Sequence, residues 1–244
     1  MANALIIDTE TPGFAKPLQP IEVATIFVTG DSPQSVLVGQ RTHQYYHAPK
    51  DVFQYGALAV HGILPQHLLD KPQWNGPAWR GEHIPGLDYV VGHNVDFDCE
   101  VLGIDGVQPR RICSLAVSRY YWPDLDAHKL GAMMYYLCGI TDETRQCLQE
   151  AHSADADAEN CLRILGRIVE IKGVKTWTQL YGISELGRVP YRMTFGKYGP
   201  KNGSKGMIIA DMVKQDPGYV KWMKNNLEDM DPYLRKALDN PRVI

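Results

Sequence analysis

The chain has 244 residues, 44% of them hydrophobic and 22% charged, and a formal net charge of −3. That length suits one medium domain, or one domain with an appendage, and the composition excludes an intrinsically disordered chain. No apolar run approaches the roughly 20 residues needed to span a bilayer. The N-terminal residues read as a strand rather than an export signal, and the five cysteines form no C-x-x-C pair, so neither a disulfide framework nor a zinc knuckle is indicated. A reducing cytoplasm is the expected location.

The net charge hides an asymmetry. From Arg188 onward there are eleven Lys/Arg and six Asp/Glu, a balance of +5, which leaves −8 on residues 1–187. An acidic body with a basic tail fits an enzyme that gathers carboxylates around metal and attracts phosphate with another surface.

In chain order, Ala4-Leu5-Ile6-Ile7 is a short apolar run that ends in Asp8-Thr9-Glu10 and predicts a buried strand. Thr11-Pro12-Gly13 breaks it, Ile21–Val28 alternates as a second strand, and Ser35–Gly39 returns from a turn as a third, antiparallel one. Short helices are expected between Ala57 and Leu69, then a Pro/Gly/Trp-rich surface segment from Lys71 to Gly86. Asp88–Gly92 and Arg111–Cys113 predict strands, and Val95–Leu102, Ser114–Tyr121 and Lys129–Cys138 predict helices. Ser153–Lys172 is the longest helical pattern, with Ser153 placed to cap it and Gly173 to stop it. A short helix near Thr176–Ile183 follows, then Gly187-Arg188-Val189-Pro190 as the candidate linker. Asp216-Pro217 and Asp231-Pro232 each set an N-cap before a proline at the first helical position, so the tail should be a small helical unit. The pattern as a whole is α/β or α+β, a sheet with helices packed on it.

The acids concentrate at strand ends and helix starts. Alternation sends Asp8 and Glu10 to one face of their strand, where two carboxylates repel each other unless a cation lies between them. On its helix, Asp98 shares a stripe with Val101 and Leu102, whereas Asp96 shares a face with Glu100. Asp157 likewise aligns with Cys161, Leu165 and Ile168, while Asp155 lies on the polar side. Asp98 and Asp157 are therefore the core-facing acids, and an acid on an apolar stripe is costly unless it is paired or bound to metal. His152 sits just outside the second helix, within reach of the same pocket. Four carboxylates are hard oxygen donors, suited to Mg²⁺ or Mn²⁺.

Asp8-Thr9-Glu10-Thr11, His93-Asn94-x-x-Phe97-Asp98 and His152-x-x-x-x-Asp157 together resemble the three motifs of the DEDDh (DnaQ-like) 3′→5′ exonuclease family, and Ala59-Val60-His61-Gly62-Ile63 resembles the segment between its first two motifs. The resemblance spans roughly residues 3–172. It implies a ribonuclease H-like mixed five-stranded sheet, three antiparallel strands extended by two parallel ones and flanked by helices. The expected division is an exonuclease domain at 1–186 and a basic extension at 187–244. By the same resemblance, two divalent ions (Mg²⁺ or Mn²⁺) would be held by Asp8, Glu10, Asp98 and Asp157, with Asp8 bridging them. His152 would deprotonate the attacking water. Thr9, His61 and Asn94 are expected near the substrate, Asn94 chiefly organising its turn, and Phe97 is expected to pack in the core. Met193–Tyr198 and Asp216–Trp222 resemble the C-terminal segment of the exodeoxyribonuclease X class, which favours a DNA 3′ end over RNA. Lys197, Lys201 and Lys205, around the basic loop Gly199–Gly206, are the tail's candidate phosphate contacts. An exoribonuclease on the same fold and a non-catalytic nucleic-acid-binding module are the alternatives.

Overall fold

The computed structural model describes residues 1–149, 152–201 and 204–242. Five strands, β1 (Ala2–Glu10), β2 (Glu22–Ser32), β3 (Ser35–Tyr45), β4 (Tyr89–Gly92) and β5 (Arg110–Cys113), form one sheet in the order β3-β2-β1-β4-β5. The pairs β1·β2 and β2·β3 are antiparallel, and β1·β4 and β4·β5 are parallel, as the resemblance implied. The helices are α1 (Tyr55–His61), α2 (Gly76–His83), α3 (Val95–Leu102), α4 (Ser114–Tyr121), α5 (Leu130–Cys138), α6 (Asp142–Cys147), α7 (Ala154–Lys172), α8 (Trp177–Arg188), α9 (Ile209–Gln215), α10 (Pro217–Asn226) and α11 (Pro232–Asp239).

Side-chain alternation along β1 builds two cores from one strand. Ala4 and Ile6 join α7 and α8 through Cys161, Ile164, Ile168 and Trp177. Leu5 and Ile7 join α3 through Val95, Cys99 and Leu102 on the opposite face. Asp8 and Glu10 continue the even phase and so lie on the α7 side, while Thr9 faces α3. The Trp177 indole N–H donates to Gly30 O at 3.0 Å, and its ring stacks on Tyr89, locking α8 to the sheet.

The sequence reading departs from the structure in several places, β3 among them, which runs on past the expected Gly39 to Tyr45. The Lys71–Gly86 segment is not all surface loop. Asn75 caps α2 by accepting from Ala78 N at 3.1 Å, and Trp79 is buried against α3. The Asn-Gly-Pro start is a helix N-terminus that its turn-forming residues disguise. Helix α6, capped by Thr141, was not expected. Helix α8 runs through Gly187 and Arg188, so regular structure breaks only at Val189. There α8 crosses α4 so closely that a Cβ on Gly187 would lie 1.9 Å from Ala116 O. Finally, Ser153 occupies the cap position of α7, but its hydroxyl makes no capping bond and donates to Asp155 and Glu22 instead.

Beyond Val189 the chain has its own small core, with Met193, Ile209, Met212, Met223 and Leu234 among its members. The caps expected for α10 and α11 form. Asp216 Oδ1 accepts from Tyr219 N at 3.0 Å, and Asp231 Oδ1 from Leu234 N at 2.9 Å.

Candidate catalytic site

Strand β1 and the starts of α3 and α7 converge at one end of the sheet. Asp98, only 4% exposed, accepts a hydrogen bond from Thr9 Oγ1 at 2.8 Å. Glu10, His152 and Asp157 each offer a ligand atom, and these atoms lie within 4.8 Å of one another. Asp157 Oδ2 also accepts from His152 N at 3.3 Å. His152 has a φ of 71°, in the left-handed region that non-glycine residues avoid. That bend presents it at the start of α7 beside the acids.

The electrostatics are those of acids crowded without counter-charge. Burial, then the charges of Asp98, Asp157, Glu10 and Glu22, hold Asp8 well above the usual carboxylate range. Burial, then Glu22 and Asp157, pushes Glu10 up to about 8. Burial raises Asp98 to about 7 against the lowering pull of the Thr9 hydroxyl. Asp157 is raised by burial as well, while the His152 backbone bond pulls the other way. Four clustered carboxyls that resist ionisation are what a divalent cation stabilises, because its charge offsets both the desolvation and the mutual repulsion. The donor set, oxygens with one imidazole at the edge, fits such an ion.

The helical-phase argument holds for both helices. Asp96 is exposed and faces away, paired to Arg188 at 3.0 Å. Asp155 is exposed and takes the Ser153 hydroxyl at 2.5 Å.

The remaining expectations divide. The Thr9 hydroxyl is turned into the protein, onto Asp98, rather than toward a ligand. Asn94 adopts φ 75° at the head of α3 without a side-chain capping bond, so it shapes the turn through its backbone. Phe97 is half-buried and meets exposed Phe14 edge-on at 5.9 Å, rather than lying in the core. His61 Nδ1 accepts from Ile63 N at 2.9 Å, and its Nε2 is buried without a hydrogen-bond partner among the described residues. Burial lowers its pKa. The Lys197 ammonium is bound to Asp216 at 2.6 Å, and that of Lys205 to the Asp124 carbonyl. Lys201 is exposed. Asn202 and Gly203 of the expected basic loop lie outside the described residues.

The sequence reading missed Glu22. It pairs directly opposite Glu10 across β1·β2 and is fully buried. His43 Nε2 donates to its Oε1 at 2.6 Å, Ser153 Oγ donates to the same oxygen at 3.3 Å, and Oε2 has no partner. Alternation in Ile21–Val28 puts Glu22 in phase with Ala24, Ile26 and Val28, so an acid on an apolar face was visible there too. Glu22, His43 and Asp155 form a second group within 4.8 Å. The first group is the better candidate metal centre, because Asp8 and Asp98 act on it while Glu22 is already tied to an imidazole.

Residues 5–165, about two thirds of the chain, match the family model described as Exonuclease. The chain belongs to this exonuclease family and is thus a nuclease, a hydrolase of phosphodiester bonds. It is 29% identical over 238 residues to exodeoxyribonuclease 10 of Escherichia coli K12, covering 96% of each chain. Among solved structures, exonuclease X in complex with 5′-overhanging duplex DNA superposes with a TM-score of 0.52 at 22% identity, over 74% of this chain and 99% of that one. Escherichia coli exonuclease I bound to a dT13 oligonucleotide gives 0.53 at 22% identity, over 70% of this chain and 41% of that one. At these identities the two structural likenesses establish the fold, a ribonuclease H-like mixed sheet. No helix among the described residues is long and apolar enough to cross a membrane.

Proposed function

We propose that this protein removes 5′-mononucleotides from DNA 3′ ends, using Asp8, Glu10, Asp98, Asp157 and His152. The observation that carries the reading is the clustering of four carboxyls with raised pKa values, two of which, Glu10 and Asp157, offer oxygens within 4.8 Å of a ring nitrogen of exposed His152. Asp8, Glu10 and Asp157 would hold the divalent ions, Mg²⁺ or Mn²⁺, and Asp98 would support the second of them. When bound, such ions neutralise charge on the phosphate and leaving oxygen and favour the ionised form of the attacking water. The His152 imidazole, beside Glu10 and Asp157, would take the proton that water loses. Its approach is fixed by the backbone bond to Asp157. Thr9 holds the Asp98 carboxylate oriented and partly ionised. His61, whose Nε2 has no partner among the described residues, would contact the terminal nucleotide.

DNA rather than RNA is favoured by the relative that matches along nearly the whole chain, tail included. We assign residues 1–186 to catalysis and 187–244 to a DNA-contacting extension, in which Lys197, Lys201 and Lys205 are all exposed.

Digestion of 5′-labelled single-stranded DNA, duplex DNA and RNA with Mg²⁺ tests the proposal. A ladder that shortens from the 3′ end of DNA, with Asp8→Ala and Asp157→Ala inactive, is expected. Mg²⁺-dependent release that survives either substitution would remove the metal assignment, and a preference for RNA would overturn the substrate.

A further inference from the structure

The seam between the catalytic domain and the C-terminal unit forms an open pocket of about 230 Å³. Its basic side chains come from both sides. Arg119 lies on α4 and His128 just before α5, while Arg192 and Arg242 belong to the chain beyond Val189. No Asp or Glu lines it among the described residues.

The charges are unequally spent. Arg188, also at the wall, is neutralised by Asp96 at 3.0 Å and Glu185 at 3.3 Å. Arg192 pairs with Asp124 at 2.7 Å through one terminal nitrogen, and its Nε is buried without a partner. Arg119 and Arg242 have no carboxylate in salt-bridge range among the described residues. The Arg242 guanidinium lies 4.2 Å over the Tyr120 ring and donates to the Tyr120 carbonyl, and burial pushes its pKa down. A partly buried cation whose only partners among the described residues are a ring and a carbonyl lacks charge compensation from them. An anion between Arg119, Arg192 and Arg242 would supply it.

The cavity is smaller than the roughly 300–1,000 Å³ that holds a drug-sized ligand, yet room for several waters at about 30 Å³ each leaves room for a phosphate group. Guanidinium forks match phosphate oxygens in geometry and charge. The seam also communicates with the catalytic side of the sheet. His93, immediately before the turn that leads to Asp98, donates from Nε2 to His128 O at 2.9 Å. Burial holds His93 near pKa 4, so it adds no charge of its own.

We propose that this arginine-lined seam is a phosphate site, and that it grips a backbone phosphate of the strand whose 3′ end lies in the catalytic site. The second half of the proposal rests on the exonuclease reading given above. The site is shared between the two units, so the C-terminal extension contributes by completing a cradle on the catalytic domain rather than by a free basic surface alone.

The test uses the full chain and two probes. In the first arm, oligothymidylate binding is measured by fluorescence anisotropy over a range of salt in EDTA, for wild type, Arg119→Gln, Arg242→Gln and Arg119→Lys. Loss of one phosphate contact should lower the log–log salt slope by about 0.7 and weaken low-salt binding about tenfold. Arg119→Lys, which keeps the charge, should retain the slope. In the second arm, orthophosphate is titrated calorimetrically into the same proteins, and binding should be lost with either Gln substitution. Phosphate binding that is lost while the DNA slope stays unchanged would mean a free-anion site and would overturn the strand assignment. Slopes and phosphate binding unchanged in both Gln variants would overturn the site itself. The exonuclease reading fails separately, through absence of mononucleotide release by wild type, and the orthophosphate arm reads the seam in either event.

Discussion

Stripping divalent metal from this protein should destabilise it at alkaline pH and leave it almost untouched at acidic pH. The reason lies in Glu10 and Asp98, held at about 8 and about 7 where their ordinary values are 4.5 and 3.8. A raised carboxyl pKa means that the folded state favours the protonated form. The stability these groups contribute is therefore full below their ordinary values and is lost as pH rises through 7 to 8. A bound cation reverses this, because it binds the ionised forms. At about pH 8.5 both groups are largely ionised, and metal at roughly 100 times its dissociation constant adds about 2.7 kcal/mol. For a chain of this size that corresponds to a rise in melting temperature of roughly 5–10 °C. A pH of about 5.5 lies roughly 2.5 units below the pKa of Glu10 and roughly 1.5 below that of Asp98. Displacing both protons then weakens apparent metal affinity by roughly 10⁴-fold, and the same metal concentration shifts nothing. The assay is thermal unfolding in EDTA and in Mg²⁺ or Mn²⁺ at both pH values, for wild type and Glu10→Gln. A metal-induced shift that is equal at the two pH values, or that survives intact in Glu10→Gln, would refute the account of these acids as an uncompensated metal site.

Three further outcomes follow from particular contacts. His152→Ala should lower single-turnover cleavage by about 10²–10⁴-fold while leaving the metal-induced melting shift in place, since the residue moves a proton rather than holding the fold; loss of the metal shift as well would reassign it as a ligand. Thr9→Val removes the 2.8 Å bond to Asp98, worth about 1.5–3 kcal/mol to a charged acceptor. Asp98 should then titrate higher still, and the pH at which metal begins to stabilise should move up; an unmoved midpoint would show that the bond does not tune the acid. Gly187→Ala forces a Cβ to within 1.9 Å of Ala116 O, so α8 must lift from α4 at a cost of about 1–3 kcal/mol or more. Unfolding in urea reads that loss, and an unchanged midpoint would contradict the packing.

Strand and helix periodicity carried most of the sheet and the two acid-bearing helices. The bounds of α3 and α4 follow the sequence pattern residue for residue. What the pattern concealed has physical causes. Helix α2 begins Asn75-Gly76-Pro77, residues that serve a turn and a helix N-terminus equally well, and only the burial of Trp79 decides between them. Gly187 looked like a chain break because glycine marks both flexible links and close helix crossings, and here it permits a crossing. The tail lysines are candidate phosphate contacts in the sequence, yet the partner of a charge is a tertiary property: the Asp216 carboxylate and the Asp124 carbonyl take two of the three. Glu22 was legible in principle, since it sits in phase with three buried apolar residues of β2, but a single acid in a strand offers no second acid for comparison.

That comparison is what made the two helix starts readable, and the structure gives it a further meaning. Acids two residues apart on a helix point about 200° apart, so Asp96 and Asp155 cannot join Asp98 and Asp157 in the site. Each instead fastens the segment that carries its neighbour. Asp96 receives Arg188, whose side chain is only 7% exposed, and lies 3.5 Å from Arg111, tying the start of α3 to α8 and β5. Asp155 accepts from Ser153, which also donates to buried Glu22, and it lies 3.7 Å from His43, tying the start of α7 to β2 and β3. An acid that repels its neighbours needs its backbone held in place, because a freely moving helix start would relieve the repulsion by carrying Asp98 or Asp157 outward. The outward-facing carboxylates oppose that relief with ion pairs on the far side of the same helical turn. The burial and, after it, the like charge that raise the inner acids' pKa values are thereby kept available to a cation.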